Sequence, residues 1–117
     1  MPKKILSIDD DEAFLHLLSE ACLGAGYEFQ GAPNGKEGLA AAKAFRPDVV
    51  LLDIMMPGMH GYEVCSSIRA DKELAQAKII ILSAKGYAFD KTAAKEAGAD
   101  HYLVKPFRLP ELFALLP

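Results

Sequence analysis

The sequence lacks tryptophan, has only two cysteines and contains no long hydrophobic run. A membrane-spanning helix needs about 20 consecutive apolar residues, and every apolar run in this chain is far shorter. The start, Met-Pro-Lys-Lys, leads into a short apolar run that Asp9 interrupts, too early for the apolar region of a secretory signal peptide. We therefore expect a cytoplasmic protein with no membrane association.

A strong charge of either sign is also missing. Thirteen Lys and Arg residues face sixteen Asp and Glu residues, a net charge of -3, and no basic block exceeds Lys3-Lys4. This balance argues against nucleic-acid binding by this chain alone. Half of the residues are hydrophobic and a quarter are charged, over 117 residues. Ordinary globular composition at this length predicts one domain spanning residues 1–117.

The two cysteines and three histidines do not form a recognisable metal site. Cys22 and Cys65 occupy core-facing helical positions, which predicts two buried, reduced thiols rather than a disulfide. His16, His60 and His101 have no mutual spacing that suggests shared metal ligation, so we interpret them as surface residues.

Short apolar runs alternate with longer stretches at helical spacing, in five strand-helix repeats. This pattern predicts an α/β fold with a parallel sheet covered by helices on both faces. The run at 27–30 alternates apolar and polar residues, so we expect an edge strand there. The expected helices lie near 11–25, 34–46, 61–70, 90–97 and 110–116.

Each expected helix has its own signals. The first should bury Phe14, Leu17, Leu18, Ala21, Cys22 and Ala25, with Asp11 and Glu12 at its positive end rather than as metal ligands. Asn34 and Glu37 resemble a capping box for the second helix. Gly61 opens the third, which should bury Val64, Cys65 and Ile68. The fourth helix presents mainly Ala93, Ala94 and Ala97, and should be held loosely.

The last helix should begin with Pro110 as its first residue. Its residues Leu112, Phe113, Leu115 and Leu116 are more apolar than one helix face needs. We therefore expect part of this surface to meet an output domain or a second copy of the chain.

Chemically active side chains follow four of the apolar runs: Asp9 and Asp10, then Asp53, Ser83 and Lys105. The carboxyl ends of parallel strands lie along one edge of a sheet, so these side chains should share one crevice. Three crowded carboxylates would repel one another without a cation, and oxygen ligands favour Mg²⁺ or Mn²⁺ over zinc. A backbone carbonyl just after Asp53 would complete the protein ligands.

A carboxylate can also attack phosphorus and carry an aspartyl phosphate. Asp53 is the natural nucleophile, while the metal, the Lys105 ammonium and the Ser83 hydroxyl would stabilise the equatorial phosphoryl oxygens. The sequence thus indicates a magnesium-dependent phosphoryl site.

The motifs Ile8-Asp9-Asp10, Leu52-Asp53 with Met56-Pro57-Gly58, Ser83-Ala84 and Lys105-Pro106-Phe107 resemble the receiver domain of two-component response regulators, such as chemotaxis receivers. The resemblance covers essentially the whole chain. It implies a flavodoxin-like, doubly wound five-stranded parallel sheet of order 2-1-3-4-5. It also implies a signalling domain that catalyses only its own phosphoryl transfer and autodephosphorylation.

By this resemblance, Asp53 is the phosphoacceptor and receives its phosphoryl group from a histidine kinase or a histidine phosphotransfer protein. Asp10 would bind the metal directly and Asp9 largely through water, with the backbone carbonyl of Met55 completing the set. A cis peptide before Pro106 would aim Lys105 into the crevice.

The resemblance further implies a switch, in which the Ser83 hydroxyl moves toward the phosphoryl group and Tyr102 rotates inward. The face around the fourth helix, fifth strand and fifth helix would change with them. In another interpretation, Tyr102 is only an edge-strand aromatic packed on the last helix.

The chain departs from the family pattern at His60, where an acidic residue is common. Met55 and Lys85 occupy positions that influence the lifetime of the acyl phosphate, which the sequence does not give. The last helix looks short for the family, so two interpretations stay open: a stand-alone regulator, or a fragment of a longer protein whose output module lies beyond Pro117.

Of three alternatives, the sequence argues against the first two, and the third is the more serious rival. A haloacid-dehalogenase-type phosphatase would need a second aspartate at position 55, where this chain has Met55. A flavodoxin-type cofactor binder would need a hydroxyl-rich loop after the first strand, where this chain is acidic. The third alternative is a receiver-like scaffold that binds partners without being phosphorylated.

Overall fold

The computed structural model describes residues 3–54, 60–84 and 91–117, without the side chains of residues 83, 84 and 91–93. Five strands alternate with five helices over these residues. The elements are β1 Lys4–Ile8, α1 Glu12–Gly24, β2 Glu28–Ala32, α2 Gly35–Phe45, β3 Val49–Asp53, α3 Gly61–Ala70, β4 Lys78–Ala84, α4 Lys91–Ala97, β5 His101–Lys105 and α5 Leu109–Phe113. The strands pair in parallel in the order β2-β1-β3-β4-β5, which confirms the predicted fold class.

The central strands β1, β3 and β4 are buried on both faces. Alternate residues of each strand belong to two separate core clusters, because successive side chains point to opposite faces of a sheet. Leu6, Val50 and Ile79 pack with α2, α3 and α4, whereas Ile5, Val49 and Ile80 pack with α1 and α5. Continuous apolar runs are therefore the expected sequence of these strands.

β2 lies at the edge of the sheet, as its alternating sequence predicts. It begins one residue later than expected, because Tyr27 belongs to the turn that closes α1: its N–H donates to the Cys22 carbonyl at 3.0 Å. Gly26 makes this turn possible, since its φ of 93° lies in the left-handed region.

The buried stripe of α1 is narrower than predicted. Leu18 and Cys22 are fully buried, but Leu17 is 51% exposed and Ala25 lies at the exposed C-cap. A helix turns about 100° per residue, so a stripe centred on Leu18 and Cys22 leaves the neighbouring Leu17 toward solvent. The prediction that Leu17 and Ala25 are buried was wrong.

The second and third helices follow their predicted signals. The Glu37 N–H donates to Asn34 Oδ1 at 2.9 Å, and Asn34 Nδ2 donates to Glu37 Oε2 at 3.3 Å, which confirms the N-terminal cap. Arg46 ends α2 in the left-handed conformation. The predicted inward residues of α3 are all buried: Val64, Cys65 and Ile68.

α4 presents small residues to the core, as predicted, with Ala94 buried and Ala97 partly buried. The Ala93 side chain lies outside the described part. The carboxyl end of α4 is nevertheless held firmly by α3. The Cys65 thiol donates to the Ala97 carbonyl at 3.2 Å, and Arg69 Nε donates to the Gly98 carbonyl at 2.8 Å.

α5 is shorter than predicted and begins one residue earlier. Leu109 is its first residue and Pro110 its second, since Arg108 takes the N-cap position with its N–H donating to Glu111 Oε1 at 3.3 Å. The helix ends at Phe113, where the chain turns so that Leu116 reaches back into the core.

The predicted excess of apolar surface at the C-terminus is mostly covered by the domain itself. Leu112 and Leu116 are buried, while Phe113 and Leu115 are partly buried against the same core cluster as α1. The Tyr27 hydroxyl donates to the Pro117 carbonyl at 2.6 Å and ties this end to the turn between α1 and β2. These four residues therefore leave less apolar surface for an interface than the sequence suggested.

Both cysteines are free and buried, as predicted. Burial raises the pKa of the Cys22 thiol and of the Cys65 thiol to about 11, because a thiolate would lose its solvation there. Among the described helices, none combines the length and the apolar character needed to cross a bilayer.

Candidate functional site

The carboxyl edge of the sheet brings together residues from three strands. Asp9 directly follows β1, Asp53 is the last residue of β3 and Lys105 is the last residue of β5. β1 connects outward to β2 on one side and neighbours β3 on the other, so the crevice lies at the topological switch point of the sheet. Ligands of open α/β sheets bind at such a point.

Three carboxylates meet at this edge. Asp9, Asp10 and Asp53 each offer one oxygen, and these atoms all lie within 4.8 Å of one another. Asp9 and Asp53 are buried, with 1% and 8% exposure, whereas Asp10 is exposed. Oxygens around one Mg²⁺ at about 2.1 Å stand roughly 3–4 Å apart, so the cluster fits one hard divalent cation.

Lys105 places a positive charge against this cluster. Its Nζ lies 2.7 Å from Asp9 Oδ2, with the Lys105 side chain 22% exposed and the Asp9 side chain 1% exposed. The other Asp9 oxygen, Oδ1, accepts from the Asp11 N–H at 3.0 Å. The Lys105–Pro106 peptide is cis, as the resemblance implied. Asp9 thus binds both the lysine and the start of α1.

Helix α3 fixes the end of β3 beside the site. The Gly61 N–H donates to the Ile54 carbonyl at 2.9 Å, and a Cβ at Gly61 would lie only 2.6 Å from Ile54 Cα and 2.7 Å from the Asp53 carbonyl oxygen. Only glycine allows this approach. His60, the departure from the family pattern, caps α3 through Nδ1, which accepts from the Tyr62 N–H at 3.1 Å.

One contact of the site was not predicted from the sequence. The Phe14 ring lies under the Lys105 ammonium, with Nζ 4.1 Å from the ring centroid. Phe107 meets Phe14 edge to face, with centroids 6.1 Å apart and planes at 86°. Phe14 was predicted only as a core residue. Its position four residues after Asp10 is the only signal in the sequence for a role at the site.

The structure describes some of the remaining predicted site residues but not others. Tyr102 is partly buried against the cluster formed with α2, α3 and α4, so it does not pack on the last helix. Ser83 lies in β4 opposite Val104 of β5, and its side chain is outside the described part. Met55 and Lys85 fall outside the described residues. Asp11 caps α1, since its Oδ1 accepts from the Phe14 N–H at 3.1 Å.

An open parallel sheet of this order with an acidic crevice at its switch point defines a flavodoxin-like α/β domain. Residues 5–117 match the family described as the response regulator receiver domain. Solved structures agree: the chemotaxis protein CheY4 of Vibrio cholerae superposes with a TM-score of 0.90 at 32% identity, covering 97% of this chain and 95% of that one.

Among curated proteins, the DNA-binding response regulator MtrA of Mycobacterium tuberculosis is 40% identical over 114 residues, or 97% of this chain and 49% of MtrA. The dual master transcriptional regulator RpaA of a Synechocystis strain is 41% identical, over 97% of this chain and 47% of RpaA. The chain belongs to the response regulator receiver domain family, the signalling domains of two-component systems. It spans about half the length of these curated relatives.

Proposed function

We propose that Asp53 is the phosphoacceptor of this receiver domain and takes its phosphoryl group from a histidine kinase or a histidine phosphotransfer protein. The observation that carries the proposal is the cluster of Asp9, Asp10 and Asp53 with the Lys105 ammonium against it. Among the described residues, three carboxylates beside one ammonium leave excess negative charge, which a divalent cation would offset.

Asp9, Asp10 and Asp53 are the residues that would hold Mg²⁺ or Mn²⁺, with the backbone carbonyl of Met55 as a further ligand. When bound, the ion supplies positive charge next to the equatorial phosphoryl oxygens. Asp53 Oδ would bond to phosphorus as the phosphorus–nitrogen bond of the donor phosphohistidine breaks. The departing imidazole keeps that electron pair and takes up a proton.

Lys105 and Ser83 complete the proposed site. The Lys105 ammonium is already in the crevice, 2.7 Å from Asp9, and would shift toward the new phosphoryl oxygens. Ser83 lies one residue beyond Leu82, the β4 partner of Asp53, which supports its role as the hydroxyl that responds to phosphorylation. The same site would catalyse autodephosphorylation, with no outside substrate.

The response would pass through Tyr102 to the face formed by α4, β5 and α5. Tyr102 stands on β5 against the core beneath α4, and Val104 of the same strand is 44% exposed. This surface would meet an output domain or a second copy of the chain. We assign residues 1–117 to one receiver domain and place it in the cytoplasm, since both thiols are free.

Intact mass after incubation with acetyl phosphate and Mg²⁺ tests the proposal. The wild-type chain should gain one phosphoryl group, and Asp53→Ala should gain none. Asp48→Ala is the matched control, since Asp48 precedes the same strand at its opposite end and should leave the gain intact. If the wild-type chain gains no mass, the result favours a receiver-like scaffold that is not phosphorylated. If Asp53→Ala gains the mass of a phosphoryl group, another residue is the acceptor.

A further inference from the structure

We propose that Phe14 is a positioning residue for phosphoryl transfer, because its ring face holds the Lys105 ammonium in the site. The inference rests on the function proposed above. A cation over the face of an aromatic ring is attracted by the negative face of the ring, within about 6 Å of the centroid. The observed 4.1 Å lies well inside that distance.

Phe14 is itself fixed through its backbone and through its ring. The Phe14 N–H donates to Asp11 Oδ1 at 3.1 Å, and the Asp11 N–H donates to Asp9 Oδ1 at 3.0 Å. The ring also meets Phe107 edge to face, two residues beyond Lys105. Asp9, Phe14 and Lys105 are therefore linked into one arrangement by the first turn of α1 and the end of β5.

The ammonium thus has two partners of different kinds. Asp9 is an anion that the proposed metal would also bind, so its attraction for Lys105 falls once the ion shares its charge. The Phe14 ring carries no net charge and does not compete for the metal. It also adds no negative charge that would repel an incoming phosphoryl group. In the metal-loaded site, the ring should be the more constant partner of Lys105.

The consequence is a kinetic role. A lysine side chain has high rotamer freedom, and losing one partner would leave the ammonium over the crevice for a smaller fraction of the time. The phosphorylation rate at saturating Mg²⁺ should then fall, while the acceptor Asp53 and the metal ligands are unchanged.

Phenylalanine analogues with increasing ring fluorination, incorporated at position 14 of the full chain, separate this role from simple packing. Fluorine withdraws charge from the ring face and changes the ring shape little, so the attraction for a cation weakens stepwise. We expect the rate of phosphorylation by acetyl phosphate to fall with each added fluorine. In the most fluorinated protein, the rate should be about fivefold lower than in the unmodified protein. Equal rates along the series would overturn the proposal.

Phe45 provides the matched control, since its ring lies 5.4 Å from Lys4 Nζ at the other end of the sheet. The same analogues at Phe45 should leave the rate unchanged. If they lower it as much as those at Phe14, the loss is a general effect of fluorination and the proposal fails.

A second readout does not depend on phosphorylation. Above the Phe14 ring, the ε-methylene protons of Lys105 should show an upfield ring-current shift by NMR, and Phe14→Leu should remove it. If even the unmodified protein gains no phosphate, the function proposed for Asp53 fails. A persistent ring-current shift would then still establish that the ring holds the ammonium, and its absence would overturn that contact as well.

Discussion

Charged groups are arranged differently at the two ends of the sheet. At the carboxyl end, one oxygen from each of three carboxylates lies within 4.8 Å of the others, and the Lys105 ammonium contacts one of these carboxylates, Asp9. At the amino end, Arg69 donates to the carbonyls of Ala75, Ala77 and Gly98 and forms a 2.7 Å ion pair with Asp100. The carboxyl end therefore brings together groups of like charge, whereas the amino end pairs hydrogen-bond donors with acceptors.

This difference indicates that the amino end contributes to stability and the carboxyl end to function. Asp100 Oδ2 also accepts from the Ile79 N–H at 2.8 Å, and Asp48 Oδ2 accepts from the Lys4 N–H at 2.8 Å. These bonds fix the starts of β4 and β1. Crowded like charges lower stability unless a ligand offsets them, so the carboxyl end is where the chain departs from its most stable arrangement. Departures of this kind are typical of binding sites.

The largest expected effect is at the amino end. Arg69→Leu removes the ion pair with Asp100 and leaves the carbonyl groups of two connecting segments without their donor. We expect the free energy of unfolding to fall by about 3 kcal/mol in urea titrations. Arg46→Leu is the control: it breaks an ion pair with Glu73 whose side chains are 63% and 62% exposed. Arg46→Leu should lower the free energy of unfolding by less than about 1 kcal/mol. Equal decreases in the two variants would contradict this account of the amino end.

Two matched aspartate substitutions should differ in their effect on stability. In buffer without divalent cations, Asp53→Ala relieves repulsion within the cluster and should leave the free energy of unfolding unchanged or raise it by up to about 1 kcal/mol. Asp48→Ala loses the bond to the Lys4 N–H and should lower it by about 1 kcal/mol. A clear loss of stability in Asp53→Ala would show that the cluster is not strained by its charge.

The smallest effect concerns a hydroxyl inside the sheet. Ser7 is fully buried on β1, two residues before Asp9, and its Oγ has no hydrogen-bond partner within the described residues. Ser7→Ala removes a buried polar group without opening a large space, so the unfolding free energy should rise by about 1 kcal/mol or less. A loss of stability on chemical denaturation would mean that the hydroxyl is satisfied in solution.

The sequence predicted the parts that depend on periodicity and on strand ends. Continuous apolar runs identified β1, β3 and β4, and the residues that follow them led to Asp9, Asp53 and Lys105, which the sheet brings to one edge. The order of the strands came from the family resemblance, because the pattern of residues alone does not say which parallel strands are neighbours.

The failures arose where packing between distant segments decides the outcome. The exposure of Leu17 depends on how α1 is rotated against the sheet, which helical spacing alone does not fix. The end of α5 at Phe113 reflects the turn that returns Leu116 to the core. The contact of Phe14 with Lys105 joins the first helix to the last strand and needs both positions at once.

The most direct test of the central claim is the stability of the protein with and without Mg²⁺. If the carboxyl end is a metal-dependent phosphoacceptor site, Mg²⁺ at 100 times its dissociation constant should raise the unfolding free energy of the wild type by about 2.7 kcal/mol. Asp53→Asn should lose most of this gain, and Asp48→Asn should keep it. The account would be contradicted if Mg²⁺ did not stabilise the wild type, or if it stabilised Asp53→Asn as much as the wild type.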